Sequence, residues 1–278
     1  MKVYIHTDLE GVSGIGTVNV EGSSIFERKN PRYPQAVKRL LGDIHAAIDG
    51  AVAGGATAVT VLDSHGGGGN FKAADLKGKA VFDPKENGRW WGMLDESYDA
   101  TFFIGAHAMA GTLNGFADHT QSSSEFFDFT ANGRRVGEVA QWAMVAAEFG
   151  VPLVMVAGDA AACAEAKAFF DPIATAVVKK GKGRMFADCL PLDVARANIR
   201  KAARKAMSLI GKAKPIKMKK PITYTLTCLR TDIADKLTWG DIKRVDARTL
   251  RWVRENAFGF FPWEAPMTDE QARVRARP

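Results

Sequence analysis

Short apolar runs alternate with helical patterns through the first 180 residues, and this alternation most constrains how the chain can fold. Runs typical of buried strands and patterns typical of amphipathic helices follow one another at residues 2–7, 34–52, 57–62, 101–104, 138–149, 152–157, 160–169 and 174–178. A strand, a helix and a second strand in this order form a parallel pair with a helical crossover. The pattern therefore predicts an α/β protein with an open, mostly parallel sheet and helices on both faces.

The character of the sequence changes near residue 190. We predict a basic amphipathic helix at 192–210, a lysine- and proline-rich connector at 212–221, a strand at 222–229 and a helix near 246–257. Before this change, Asn132-Gly133 predicts a β-hairpin over residues 124–136, because this dipeptide favours the tight turn of a hairpin. We expect a larger α/β domain at 1–190 and a smaller C-terminal α+β domain at 191–278.

Composition narrows the class of protein. The 278 residues are 46% hydrophobic and 25% charged, which is typical of globular proteins. No apolar run approaches the roughly 20 residues that a membrane span needs, and the first strand begins at the N-terminus without a signal peptide. The three cysteines are widely spaced and predict neither a disulfide framework nor a thiolate metal site. We therefore expect a cytoplasmic protein.

Positive charge is concentrated in one stretch. Residues 179–220 contain fourteen lysines and arginines against Asp188 and Asp193, a local balance of +12 within a total of +7. Such a stretch can bind nucleic acid, but it is more often a solvated helix face followed by a basic connector. No aromatic residue lies between Lys201 and Lys220 to stack on bases, so nucleic-acid binding is the weaker interpretation.

Carboxylates and imidazoles follow the predicted strands. Asp8 and Glu10 come directly after the first strand, His65 after the second and His107 after the third, while Glu138 begins a helix. The carboxyl ends of parallel strands meet at one edge of a sheet, where ligands bind. Carboxylates and imidazoles are ligands of zinc and similar ions. Because five donors exceed the needs of one tetrahedral zinc, we predict two ions, with Asp8 as the candidate bridge.

Three further histidines leave alternatives open. His119 follows the third strand and is interpreted either as a proton carrier beside the metal or as a surface residue. His6 alternates with Asp8 along the first strand and is a candidate to contact a metal ligand without binding the metal itself. His45 lies on a helix and is interpreted as structural. No dinucleotide-binding glycine motif, phosphate-binding loop or serine nucleophile elbow occurs.

These motifs together resemble the zinc-dependent D-aminopeptidases of the dipeptide-transport operon type. The resemblance rests on Asp8-Leu9-Glu10-Gly11, Asp63-Ser64-His65, Gly105-Ala106-His107-Ala108, His119, Val136-Gly137-Glu138 and the block from Val154 to Asp159. It covers roughly residues 1–190 well, and neither the glycine run at 66–69 nor the basic stretch belongs to it. The resemblance implies a dinuclear zinc centre held by Asp8, Glu10, His65, His107 and Glu138. It also implies a catalytic His119 and ring-shaped oligomers, up to decamers.

We therefore expect a metal-dependent aminopeptidase that removes N-terminal residues, including D-amino acids, from short peptides through a zinc-activated water. The metal-binding catalytic domain would be residues 1–190. Two alternatives remain open. One is another dinuclear metallohydrolase, either an amidase or a phosphoesterase, and the other is a nucleic-acid-binding protein that uses the basic stretch.

Overall fold

The computed structural model describes residues 1–78, 80–85 and 88–262, which form two main sheets and five α-helices. The strands are β1 (Lys2–Thr7), β2 (Asn19–Val20), β3 (Ser23–Ser24), β4 (Ala58–Asp63), β5 (Ala80–Asp83), β6 (Ala100–Ala106), β7 (Phe126–Ala131), β8 (Arg134–Arg135), β9 (Leu153–Asp159), β10 (Ala174–Gly181), β11 (Ala187–Cys189), β12 (Ile222–Cys228), β13 (Lys243–Arg244) and β14 (Thr249–Arg254). The helices are α1 (Tyr33–Ala53), α2 (Glu138–Glu148), α3 (Ala160–Phe169), α4 (Leu192–Met207) and α5 (Thr231–Leu237).

The larger sheet has seven strands in the order β11-β10-β9-β6-β1-β4-β5. All neighbouring pairs are parallel except β10 and β11. The predicted fold class is therefore confirmed. Two of its strands, β5 and β11, were not expected from the sequence, because each is a short strand at an edge of the sheet.

Helices cover both faces of this sheet because side chains alternate along each strand. In β1, Val3 and Ile5 face a core that includes Leu40 of α1 and Ile199 of α4. Tyr4 faces the opposite core, which includes residues of α2, α3 and the second sheet. The central strands are buried on both faces, which explains their nearly continuous apolar sequences.

The second sheet is antiparallel, with five strands in the order β13-β14-β12-β7-β8. The predicted hairpin is present as β7 and β8, and its turn residues Asn132 and Gly133 have φ values of 51° and 78°. Since β7 pairs with β12, the hairpin joins the first half of the chain to the C-terminal strands.

The helix expected near 246–257 is wrong, because residues Thr249–Arg254 form β14. Leu250, Trp252 and Arg254 are buried, whereas Arg251 and Val253 are exposed. This two-residue period belongs to a strand with one face on a core, and it outweighs the helical preference of the arginines.

Helix α4 follows residue 190 in sequence but packs against α1 on the larger sheet. Gly50 allows this approach, since a Cβ at that position would lie 2.3 Å from the carbonyl oxygen of Arg200. Part of the positive charge of α4 is ion-paired with α1, because the guanidinium of Arg200 lies 3.3 Å from the carboxylate of Asp49. The domain boundary near residue 190 stays a prediction. Within the described ranges, no helix combines the length and apolar character that a bilayer crossing requires.

Candidate metal centre

Three adjacent parallel strands deliver the expected side chains to one edge of the larger sheet. Because β6, β1 and β4 are neighbours, the residues that follow them leave the sheet at the same end. Glu138 opens α2 directly after Gly137, whose backbone is extended. All six side chains expected at the site lie together as two groups of three, namely Asp8, Glu10 and His65, and His107, His119 and Glu138.

The first group centres on one ring nitrogen of His65. Its Nδ1 lies 3.0 Å from Oδ1 of Asp8 and 3.1 Å from Oε2 of Glu10. On the other side of the ring, Nε2 lies 3.0 Å from the carbonyl oxygen of Phe26. A carbonyl oxygen at this position fixes the orientation of the imidazole, as the partners of metal-binding histidines commonly do.

The second group centres on Oε1 of Glu138. This oxygen lies 3.4 Å from Nε2 of His107 and 3.7 Å from Nε2 of His119. It also accepts a hydrogen bond of 2.7 Å from the backbone N–H of Gln121. The structure thus places His119 among the groups that could bind an ion, beside the two predicted ligands.

Asp8 lies between the two groups. Its Oδ1 faces His65, and its Oδ2 lies 3.2 Å from Nε2 of His107. A carboxylate with one oxygen directed at each group is the arrangement that a bridging ligand needs. The bridging position predicted from the sequence is therefore compatible with the geometry.

Several polar atoms of this cluster lack hydrogen bonds. Among the described residues, none donates a well-aligned hydrogen bond to Oδ2 of Asp8 or Oε2 of Glu10, and Nε2 of His107 makes no well-aligned hydrogen bond despite its close carboxylates. Buried polar atoms without partners cost free energy unless a ligand or an ion satisfies them. Since the unpaired atoms are carboxylate oxygens and an imidazole nitrogen, the donor set fits zinc.

The electrostatics also favour positive charge here. Burial alone would lower the pKa values of His65 and His107, but Glu10, Asp8 and Glu138 outweigh burial and raise both pKa values well above the usual range. Burial alone would raise the pKa of Glu138, but His107 brings it down to about 2. The carboxylates therefore favour a cation at this place, whether a protonated imidazole or a metal ion.

Close backbone contacts hold the carboxylates at the edge of the sheet. The backbone N–H of Asp8 donates to the carbonyl oxygen of Ile104 at 2.8 Å, and Gly11 donates to Gly105 at 2.8 Å. A Cβ on Gly11 would lie 2.0 Å from the carbonyl oxygen of Ala106. Only glycine fits here, which explains the glycine that follows Asp8 and Glu10 in the sequence.

Two buried residues that support the site were not expected from the sequence. Oε2 of Glu165 accepts a hydrogen bond of 2.9 Å from the backbone N–H of Met109, and its other oxygen lies against Gly137. Nζ of Lys179 donates to the carbonyl oxygen of Glu10 at 2.8 Å. The only sequence signal for Lys179 was its position directly after an apolar strand, and the signal for Glu165 was a lone acid on an alanine-rich helix.

The cluster opens into a cavity of about 600 Å³. His6 lines its wall, stacked on Trp142 with ring centroids 4.3 Å apart, and burial lowers the pKa of His6 to about 3. His45 does not line this cavity, and its Nε2 lies 3.0 Å from the carbonyl oxygen of Asp75. The cavity is also lined by Lys85, for which no sequence pattern predicted a role.

Comparison with known proteins identifies the family. The family model described as D-aminopeptidase matches residues 1–263. A D-aminopeptidase of Bacillus subtilis (strain 168) is 31% identical over 223 residues, which cover 78% of this chain and 77% of the relative. The chain belongs to the D-aminopeptidase family. The resemblance drawn from the motifs is confirmed, and the match extends beyond residue 190 into the second sheet.

A solved structure supports the same fold. It is the Zn-dependent D-aminopeptidase DppA from Bacillus subtilis, described as a self-compartmentalizing protease. The two chains are 24% identical and superpose with a TM-score of 0.86, over 99% of this chain and 96% of that chain. Membership of this family agrees with the expectation of a peptidase and not of a nucleic-acid-binding protein.

Proposed function

We propose that this protein is a zinc-dependent D-aminopeptidase that releases N-terminal D-amino acids from short peptides. One observation carries the proposal: two groups of metal-binding side chains face each other across the carboxylate of Asp8. Membership of the D-aminopeptidase family supports the reaction, and the zinc dependence of the Bacillus subtilis protein supports the metal.

Two zinc ions per chain would fit this arrangement. Asp8 would bridge them, Glu10 and His65 would hold the first, and His107 and Glu138 would hold the second. When bound, such ions supply an activated water near neutral pH and polarise the scissile carbonyl group. The three carboxylates offset much of the charge of two divalent ions, which favours their joint binding.

His119 is the proposed proton carrier. Its Nδ1 lies 2.7 Å from the carbonyl oxygen of Ala117, so Nδ1–H donates and Nε2 is left with a free lone pair facing the site. An imidazole oriented in this way can accept a proton from the attacking water and pass it to the leaving amine. His119 is less buried than His107, which suits a group that must reach the substrate.

We further propose that the chain assembles into a ring, with a decamer as the upper expectation. Enclosing the cavities in a ring would restrict access to short peptides, and the Bacillus subtilis relative is described as self-compartmentalizing. Light scattering at micromolar concentrations should give a closed oligomer larger than a dimer, and a monomer would contradict this. We also propose a cytoplasmic location, which fits three cysteines that are all free.

The function can be tested with the purified chain, reconstituted with zinc and freed of excess metal. Emission spectrometry should give close to two zinc ions per chain. Peptides with an N-terminal D-alanine should be cleaved faster than their L-alanine counterparts. Hydrolysis of phosphoesters without hydrolysis of peptides would instead favour the phosphoesterase alternative, and a well-folded protein that binds no zinc would overturn the proposal.

A further inference from the structure

Four consecutive glycines directly follow His65, and the first two, Gly66 and Gly67, line the cavity. We call this run the glycine wall. Gly66, Gly67, Gly68 and Gly69 all have positive φ values, of 55°, 85°, 89° and 82°. A Cβ on Gly66 or Gly67 would meet no atom within 4 Å. The run therefore keeps space open beside the proposed metal centre, and its backbone conformation excludes most side chains.

Lys85 lies beside the glycine wall and also lines the cavity. Its Nζ lies 3.6 Å from the position that a Cβ on Gly68 would take. Its backbone has a φ of 53°, and its N–H donates to Oδ1 of Asp83 at 2.8 Å. Asp83 is itself buried and accepts hydrogen bonds from the hydroxyl of Tyr4 and the N–H of Met93. The lysine is thus held in place by a buried anchor.

The ammonium group forms no ion pair with any described carboxylate, although two lie nearby. Asp63 accepts hydrogen bonds from the backbone and side chain of Asn70, and Asp83 is occupied as described above. Burial lowers the pKa of Lys85 although the charges of Asp63 and Asp83 act to raise it, which means that the ammonium group is partly desolvated. A partly buried cation at a cavity wall costs free energy that binding of an anion would recover.

Arg28 adds a second cation on the same wall. Its guanidinium donates a hydrogen bond to the carbonyl oxygen of Gly68 and lies 3.5 Å from the position of a Cβ on Gly69. A guanidinium has five N–H donors, so others remain for a ligand. The described residues that line the cavity include one lysine, Lys85, and one arginine, Arg28. Glu27 also lines it, but pairs with Lys29 at 2.9 Å.

The cavity is therefore polarised. The carboxylates of the metal centre favour cations, and Lys85 and Arg28, which lie against the glycine wall, favour an anion. A short peptide has the same polarity, with a free amine at one end and a carboxylate at the other. We propose that Lys85, with Arg28 beside it, forms a subsite that binds the C-terminal carboxylate of a short peptide. This inference rests on the proposed function, and it would make a free carboxylate part of substrate recognition.

The test compares three peptides on the zinc-loaded enzyme and on Lys85→Met. These are D-alanyl-glycine, its C-terminal amide, and D-alanyl-D-glutamic acid α-amide, whose only carboxylate is on the side chain. We expect wild type to prefer D-alanyl-glycine over its amide by about 10- to 100-fold in kcat/KM, the range of a charge-assisted contact. Lys85→Met should abolish that preference by raising the KM of D-alanyl-glycine to near that of the amide, because the contact forms equally in the ground state and in the transition state.

Matched variants identify the source of the effect. Lys85→Arg should retain most of the preference, and Lys72→Met, which removes an exposed lysine outside the cavity wall, should retain all of it. Equal cleavage of acid and amide by wild type, or an equal loss of both in Lys85→Met, would overturn the subsite while the proposed function stands. If wild type preferred D-alanyl-D-glutamic acid α-amide over D-alanyl-glycine, the subsite would bind a side-chain carboxylate. That result would overturn the assignment to the C-terminal carboxylate.

A binding measurement separates the subsite from the proposed function. In a D-alanyl-glycine analogue with a CH2–NH unit in place of the scissile amide, the carboxylate remains but cleavage cannot occur. In wild type, calorimetry should show that the free acid binds at least about 10-fold more tightly than its amide. In Lys85→Met, the acid and the amide should bind with equal affinity. If wild type cleaves no peptide, the proposed function fails, and equal binding of acid and amide then overturns the subsite as well.

Discussion

The imidazole rings of His107 and His119 stack with their centroids 4.0 Å apart and their planes 9° apart. Both direct Nε2 towards the same oxygen of Glu138, at 3.4 and 3.7 Å. They differ in what else they reach, because His107 also lies 3.2 Å from Asp8 and is almost completely buried. The proposed division of roles, with one ligand and one proton carrier, follows from this difference.

Replacing each of these histidines should separate the two roles. His119→Ala should keep the fold and both zinc ions but lose about 10²- to 10⁴-fold in kcat, the usual effect of a positioned acid–base group. His107→Ala should instead lose bound zinc. Metal analysis and steady-state kinetics on the same preparations check this, and loss of zinc from His119→Ala would make His119 a ligand.

The two carboxylates after β1 should differ in how many ions they hold. Asp8→Asn removes charge from a carboxylate that faces both groups, whereas the ion pair of Glu10 within the described cluster is with His65 of the first group. We therefore expect Asp8→Asn to weaken both zinc ions and Glu10→Gln to weaken one. Zinc titration followed by emission spectrometry gives the stoichiometry, and a single weakened ion in Asp8→Asn would contradict the bridge.

Glu165 should act by positioning the loop after His107. Burial raises the pKa of its carboxyl group to about 7, and its accepted hydrogen bond from Met109 does not require a charge. Glu165→Gln should therefore preserve zinc affinity, whereas Glu165→Ala should lower it by about 10- to 100-fold, as loss of a supporting contact does. Competition with a zinc chelator measures both affinities, and an equal loss in the two variants would show that the charge matters.

The glycine wall should tolerate substitution at one end and not in the middle. Gly68 combines φ 89° with ψ −176°, and a Cβ there would lie 2.8 Å from the carbonyl oxygen of Asp63. Gly68→Ala should therefore cost about 1–3 kcal/mol in the free energy of unfolding. Gly66 has φ 55° and ψ 31°, a conformation that asparagine adopts, so Gly66→Asn should cost less than about 1 kcal/mol. Urea unfolding of the two variants compares these costs.

Local patterns were sufficient for the central strands and helices of the larger sheet and for the edge at which the site lies. Apolar runs that alternate with helices specify parallel strands, and parallel strands bring the residues that follow them to one edge. Asp8, His65 and His107 could therefore be grouped without coordinates. The turn at Asn132-Gly133 was equally local, since it depends on the φ values of two residues.

Tertiary packing decided what local pattern could not. Strand β14 alternates because one of its faces meets the core beneath the second sheet, and that sheet is completed by the pairing of β7 with the distant β12. A regular period can be read along one segment, but pairing between remote segments depends on which surfaces the rest of the fold leaves uncovered.

The same division holds inside the site. The sequence by itself determined which residue types could bind a metal, because their chemistry and their places after the strands are properties of short segments. Only the tertiary structure directed the two oxygens of Asp8 at different histidines and set Lys85 beside the glycine wall. These relationships join segments far apart in the chain, and their distances are fixed by the packing of the whole sheet and its loops.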